Sequence, residues 1–345
     1  MLERPGEMSI RWRVIWGCLT RLIATAGFAA GFAPHAGAEL ISLRYGQAYS
    51  SAHSVYSLPI VVAEREGLFI RAGLDVKTII PIPGGSDKMI AALHDDWVDV
   101  THVAMPFLIR AALAGSDAVA IDTEFRNSVY SLLANRAIAS FVDLKGKLVG
   151  LADESGTISI SMRKLLAAHG LKRGSFAVKN EEGTPARLNC LRRGECDAVV
   201  LGQPQDFEAM AEGYRLLGRS DEVVPNYVYT VTAARKSWAQ THQEAIIRFL
   251  RALAASFKFI RDPANRGSVV KTIAEVANTS DAVAAETLDL LVDPRHAMLP
   301  DRGEIDLEGV QHVIAMMAEA GTLKAPLPDA SRFVDQDYFK AAGLD

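Results

Sequence analysis

Between Gly46 and Val76 the apolar and polar positions, GQAYSSAHSVYSLPIVVAEREGLFIRAGLDV, read as a strand end, a loop of small polar residues, a helix, a glycine stop and a second strand. Ser57 is placed to cap a helix with Pro59 in its first turn, where a missing N–H costs nothing. Gly67 ends that helix, and Leu68 and Phe69 turn the chain back towards a core. The loop Tyr49–His53 then lies at the carboxyl end of a strand and in front of a helix N-terminus, where open α/β sheets bind small ligands. One such unit is ordinary in itself. Its recurrence downstream gives it weight.

Val76–Ile80 is a β-branched run, and Pro81, Pro83, Gly84 and Gly85 make a turn before Ser86, the expected N-cap of a helix over Asp87–His94. Trp97–Val103 predicts a third strand, Pro106 opens a helix over Phe107–Ala114, and Val119–Phe125 is a further strand. This βαβαβ order with short connections predicts a parallel sheet. A second series occupies 129–232. It runs through the extended Val129–Ala134, the buried strand Leu148–Leu151, the loop Asp153–Thr157 and the helix Ile158–His169. A helix opened by Thr184-Pro185, the strand Ala198–Leu201 and Gly202-Gln203-Pro204 before the helix Gln205–Glu212 complete it. Tyr227–Ala233 carries the chain back. From Ser237 the pattern is helical, with Ile246, Ile247, Phe249, Leu250, Leu253 and Phe257 on one broad apolar face. This tail is expected to pack on the first lobe. Two lobes joined near Asn127–Tyr130 and Thr230–Arg235 make a hinge, and a ligand between them would be enclosed by rotation.

The N-terminus carries Arg11, Arg13 and Arg21 before the apolar run Leu22–Ala33, then Ala36-Gly37-Ala38. This is the order of a secretory signal cleaved before Glu39. The apolar run falls well short of the roughly 20 residues a membrane helix needs. Its removal takes four arginines and two glutamates with it and moves the formal charge from -4 to -6. That balance gives no reason to expect nucleic acid as a partner. Cys190 and Cys196 remain. An oxidising compartment permits a disulfide between them, and two reduced cysteines are the alternative, because bridging depends on geometry that spacing does not give.

No catalytic or nucleotide-binding signature is present: no G-x-S-x-G, no G-x-x-x-x-G-K-[ST], no H-E-x-x-H, and no G-x-G-x-x-G after a strand. No catalytic residue, metal ligand or cofactor is therefore expected. His53 and His102 are placed to face a cleft, where a lone histidine is more often a hydrogen-bonded wall residue than a base. The remaining signal is a series of helix starts at Ser57/Pro59, Ser86, Pro106, Ser155/Thr157, Thr184/Pro185 and Gln203/Pro204. Each offers free N–H groups and a positive dipole end to anionic or polar acceptors, although simple capping explains any one of them. Arg126 beside a crossing could meet a ligand or a surface carboxylate. Tyr49, Trp97 and Phe207 could stack on a planar ligand or pack in the core.

Four stretches then carry a resemblance: AHSVYSLPIVVAEREGLFIRAGLDV (52–76), IPGGSDKMIAAL (82–93), VYSLLANRAIASFVDLKGKLVGLADESGT (129–157) and LGQPQDFEAMAEGYRLLG (201–218). The return run PNYVYTVTAARKSWA (225–239) adds to them. The chain resembles the periplasmic solute-binding proteins of the nitrate, sulfonate, taurine and thiamine-pyrimidine (NMT1-like) group, which feed ABC importers. The resemblance implies an α/β, bilobed type II periplasmic-binding fold with two parallel-sheet lobes, two crossings and a helical C-terminal tail. After the signal, 1–38, lobe I would comprise 39–128 plus 233–345 and lobe II 129–232. It implies a cleft lined by Tyr49, Ser51, His53, Gly85, Ser86, Ser155, Gly156, Thr157, Gln203 and Pro204. It implies a monomeric periplasmic protein, not an enzyme, that hands a small polar or anionic solute (a sulfonate, carboxylate or pyrimidine) to an inner-membrane ABC permease. The alternatives are a thiamine-pyrimidine synthesis enzyme of this fold, which uses a cysteine-rich segment absent here, and a ligand-sensing domain for a membrane receptor.

Overall fold

The computed structural model describes residues 39–76, 79–152, 156–181, 183–224 and 226–345. The predicted signal therefore lies outside the described residues, and the compact unit runs from Glu39 to Asp345. Twelve strands occur among the described residues, in chain order β1 (Ile41–Ser42), β2 (Tyr45–Ala48), β3 (Leu74–Asp75), β4 (Ile79–Ile82), β5 (Val100–Ala104) and β6 (Ala118–Phe125). They continue with β7 (Ser131–Ala134), β8 (Leu148–Leu151), β9 (Ala177–Asn180), β10 (Ala198–Leu201), β11 (Arg215–Arg219) and β12 (Thr230–Arg235). β1 and β3 form a small parallel pair. The others form two five-stranded sheets, ordered β4-β2-β5-β12-β6 and β11-β7-β10-β8-β9.

The two predicted βα series are these two sheets, but each is mixed. β12 runs antiparallel between β5 and β6, and β7 runs antiparallel between β11 and β10. The reason is directional. β7 and β12 are the strands by which the chain enters a sheet after crossing from the other, so each starts at the edge where the parallel strands end. Thr230–Arg235, expected as a crossing, is therefore a strand, and the chain crosses just before it, at Tyr227–Tyr229. The register sets Thr232 opposite His102 on one side and Asp122 on the other, which brings polar side chains together inside an otherwise apolar sheet.

Local details differ from the pattern where side chains have competing partners. Tyr49–Ala52 forms a helical turn rather than an open loop. The helix Leu58–Arg65 has proline in its first turn as expected, but Ser57 donates its hydroxyl to Ser54 O, and Ser54 supplies the cap to Tyr56 N. Gly67 takes the left-handed conformation (φ 63°) that ends the helix. Ser86 opens its helix, Ser86–His94, without capping it, because its Oγ accepts Ala104 N from the end of β5 at 3.1 Å.

The C-terminal tail is helical as predicted. Gln243–Arg261 buries Ile246, Phe249, Leu250, Leu253 and Phe257 against the helix Leu58–Arg65, and Phe249 stacks on Phe69 at 5.8 Å. Burial of each such side chain contributes roughly 1.5–3 kcal/mol, which is why this helix stays docked. Ser256 Oγ also donates to Pro59 O at 2.6 Å. The tail reaches beyond the first sheet: Thr279 donates to Glu208, and Lys164 pairs with Glu319 of the helix Leu307–Glu319. No helix among the described residues is long and apolar enough to cross a membrane.

Candidate functional site

A cleft of about 630 Å³ opens where the parallel strands of both sheets end. The segments after β2, β4 and β5 contribute one wall, those after β8, β9 and β10 the other, and Tyr130 and Tyr229 come from the two crossings. This is the edge at which open α/β sheets collect ligands, because helix N-termini and free backbone groups converge there.

Tyr49, Ser51, His53, Gly85, Ser86 and Gln203 line this cleft. Gly156, Thr157 and Pro204 are not among the lining residues; Ile158 takes the wall position, while Thr157 is 1% exposed and points its hydroxyl inward without a partner. Successive residues of a helix point about 100° apart, so a helix start presents only some of its residues to a cleft. Ser155 lies outside the described residues. Of the stacking candidates, Tyr49 is at the rim and 59% exposed, Trp97 is 67% exposed away from the cleft, and Phe207 is half-buried beside the core. Arg126 pairs with Glu304 at 3.5 Å, which is the surface role.

Both histidines have partners. His53 Nδ1 lies 2.8 Å from Tyr49 O, with the two rings 4.4 Å apart. His102 is nearly buried, and its Nδ1 sits 2.5 Å from Glu124 Oε2. The other Glu124 oxygen accepts Tyr45 Oη and Thr232 Oγ1, each at 2.8 Å. Beside this network Asp122 accepts Thr232 N, and burial together with the Glu124 charge pushes its carboxyl far above the ordinary range. His102 is thus held by a carboxylate, with Nε2 as its remaining polar atom at the cleft wall.

A tyrosine cluster forms the floor. Tyr130 Oη and Tyr229 Oη are 2.9 Å apart, and the Tyr56 ring lies 5.4 Å from Tyr229 and 6.4 Å from Tyr130. Burial raises the Tyr56 and Tyr229 hydroxyls well above their usual range, so both stay neutral. Gly202 is required by this floor, since a Cβ there would stand 2.9 Å from the Tyr130 ring.

The residue that sequence reading missed is Arg187, one turn into the helix Thr184–Arg192. It lines the cleft yet is only 2% exposed. Its Nε donates to Val200 O at 2.5 Å, Nη1 to Glu181 O at 2.9 Å and Nη2 to Thr184 Oγ1 at 3.1 Å. All three acceptors are neutral. No carboxylate lies within ion-pair distance of it among the described residues, and burial lowers its pKa despite the tyrosine oxygens nearby. The Glu181 charge acts on it only at a distance, so the guanidinium is a buried cation with no carboxylate bonded to it, and its two N–H bonds left over suit an oxyanion. The sequence held one signal: an arginine one turn beyond a Thr-Pro helix start that follows a strand. Among the described residues no group of three or more His, Cys, Asp or Glu is placed to hold a metal.

Two mixed sheets with antiparallel entering strands and a cleft at the strand ends define a periplasmic-binding-protein fold. The chain belongs to the family described as NMT1/THI5 like, which matches residues 54–265. Among solved structures it is similar to the alkanesulfonate-binding protein SsuA from Xanthomonas axonopodis pv. citri, bound to MOPS, with a TM-score of 0.68, 18% identity, and 87% of this chain and 100% of that one covered. It is likewise similar to the periplasmic nitrate-binding protein NrtA from Synechocystis PCC 6803, with a TM-score of 0.72, 12% identity, and 88% and 89% covered. A curated relative is the 4-amino-5-hydroxymethyl-2-methylpyrimidine phosphate synthase of Schizosaccharomyces pombe, 23% identical over 225 residues. That match covers 60% of this chain and 63% of the relative.

Proposed function

We propose that this chain is an extracytoplasmic solute-binding protein that captures a small organic anion, a sulfonate or carboxylate, and delivers it to an inner-membrane ABC permease. The observation that carries the proposal is Arg187, a buried cation at the wall of the cleft whose hydrogen bonds all go to neutral acceptors. An anion reaching it supplies a directly bonded counter-charge in a low-dielectric site, where the interaction is least screened. The two sheets act as lobes, 39–128 with 233–345 and 129–232, that rotate about the crossings Asn127–Tyr130 and Tyr227–Tyr229. Contacts to both lobes favour the closed form, and a permease reads that form. The signal-like leader and the kinship with periplasmic binding proteins support export to the periplasm. Thr230, Tyr56 and Gln203, each buried at the cleft with an unpartnered oxygen, support a ligand that also hydrogen-bonds.

A thermal-shift and calorimetric panel of sulfonates, carboxylates, nitrate and pyrimidines on the mature protein tests this reading. At least one anion is expected to stabilise the fold by RT ln(1 + [L]/Kd) without being turned over. Neutral pyrimidines binding while every anion fails would overturn it. The yeast relative's name supports a synthase as the second reading, and product formation from the bound ligand would establish that instead.

A further inference from the structure

We infer that the Cys190–Cys196 disulfide is a positioning element for Arg187, clamping the helix that carries the guanidinium to the strand whose carbonyl orients it. Its consequence for a ligand rests on the anion reading above; the clamp itself does not. Arg187 and Cys190 lie about one turn apart on the helix Thr184–Arg192. Cys190 is bridged to Cys196, just before β10, and Arg187 Nε donates to Val200 O within that strand at 2.5 Å. The bridge and the Arg187 bond thus join the same helix to the same strand, one ahead of the strand and one near its end. For the fold as a whole the bridge is poorly placed. The loop it closes is already turned by backbone bonds: Gly194 N donates to Leu191 O at 3.0 Å, and Glu195 N and Cys196 N donate to Cys190 O at 3.0 and 3.2 Å. A loop so short removes little freedom from the unfolded chain.

What the bridge restrains is local. The helix rests on a small apolar cluster, apart from the main core, in which Leu188, Cys190 and Leu191 meet Cys196, Val199 and Leu201. Both cysteines are fully buried there. Cys196 Sγ also packs against β8, where a Cβ on Gly150 would stand 3.2 Å from it. Apolar burial holds a helix in proportion to the area covered, and this cluster is small. Arg187 pulls the other way. Burial disfavours its charge and lowers its pKa, so the guanidinium gains by swinging out towards water. Three neutral acceptors and the covalent bridge oppose that motion. Arg187 keeps its place at the cleft wall only while the helix stays seated on β10. A bond that adds little to global stability therefore sits where it does most for the cation.

The test compares the disulfide form with the dithiol form, made by reducing the unfolded mature protein with a phosphine and refolding it in the same reductant. Both sulfurs stay and only the bond is lost; Cys190→Ala/Cys196→Ala takes its place if the dithiol form does not refold. Solvent exchange of the Arg187 Nε–H is read by NMR, the signal being assigned by its loss in Arg187→Gln, with the backbone amides of β5 and β6 as reference. Losing the bond is expected to speed Nε–H exchange by about tenfold or more beyond any change in the reference amides. Nε–H exchange that changes no more than the reference would overturn the inference, because the bridge would then serve the fold as a whole. Benzenesulfonate and benzoate are the anion probes, followed by calorimetry. Losing the bond is expected to raise their Kd by about threefold to thirtyfold in the wild type and to leave it within about twofold in Arg187→Gln. Equal rises in both would break the link to Arg187. If neither probe binds, the anion reading loses its support, and the exchange rates still decide for or against the clamp.

Discussion

Replacing Arg187 with glutamine removes a buried charge to which no carboxylate is hydrogen-bonded in the unliganded protein. Three of the five guanidinium N–H bonds are engaged, to Val200 O, Glu181 O and Thr184 Oγ1, which leaves two for a ligand. A hydrogen bond to a charged group contributes about 1.5–3 kcal/mol, so losing one or both costs about 2–4 kcal/mol of binding. That corresponds to a rise in Kd of roughly 30- to 1000-fold for the best anion of the panel. The unliganded protein should respond differently. Loss of three neutral-acceptor bonds is offset by relief of a desolvated cation, so the melting temperature without ligand should shift by only a few degrees in either direction. Calorimetry with the anion and thermal melts without it separate these effects. Because the charge is buried, the wild-type affinity should also change little with added salt. A variant that binds its anion within threefold of wild type would falsify the assignment of Arg187 as the anion's partner.

Asp122 gives a pH prediction. Its folded pKa lies well above the unfolded value of about 4, from burial first and the Glu124 charge second. The folded state therefore holds a proton that the unfolded state has released, and the stability it lends at low pH is lost as pH rises from about 4 through the raised folded value. Asp122→Asn should raise the melting temperature at pH 8 and leave it nearly unchanged at pH 4; parallel curves for both proteins would rule this out. The structure joins Cys190 and Cys196, whose Cα atoms are 5.3 Å apart, in a disulfide. Closing so short a loop contributes about 2 kcal/mol, so reduction should lower the melting temperature by roughly 3 °C. Alkylation of both cysteines in non-reducing denaturant would contradict the bridge. Protein recovered from the periplasm should begin at Glu39, and Edman or mass analysis finding an intact leader on a cytosolic product would refute export.

Much of the architecture was legible because it is written in local terms. Alternating runs ended by Gly67, Gly115 and Gly170, and helix starts marked by Pro59, Pro106 and Pro185, are short-range features that a chain enforces wherever it folds. The cleft residues that could be read, Tyr49, Ser51, His53, Gly85, Ser86 and Gln203, follow strand ends, and strand ends gather at one edge of a parallel arrangement. The positions that did not reach the wall, such as Thr157, fail on the angular phase of a helix, which the pattern alone does not fix.

The sequence by itself determined two βα series, their order, a helical tail and part of the rim of the cleft. Only the tertiary structure decided how β12 inserts between β5 and β6, over a hundred residues after the first of them, and so which polar groups meet around His102 and Glu124. It also decided that Arg187 is buried with only neutral hydrogen-bond acceptors and that Gln203 turns its Nε2 to Val129 O and Asp206. Both are statements about what surrounds a side chain. Such properties depend on every neighbour at once, and a linear pattern records only the neighbours along the chain.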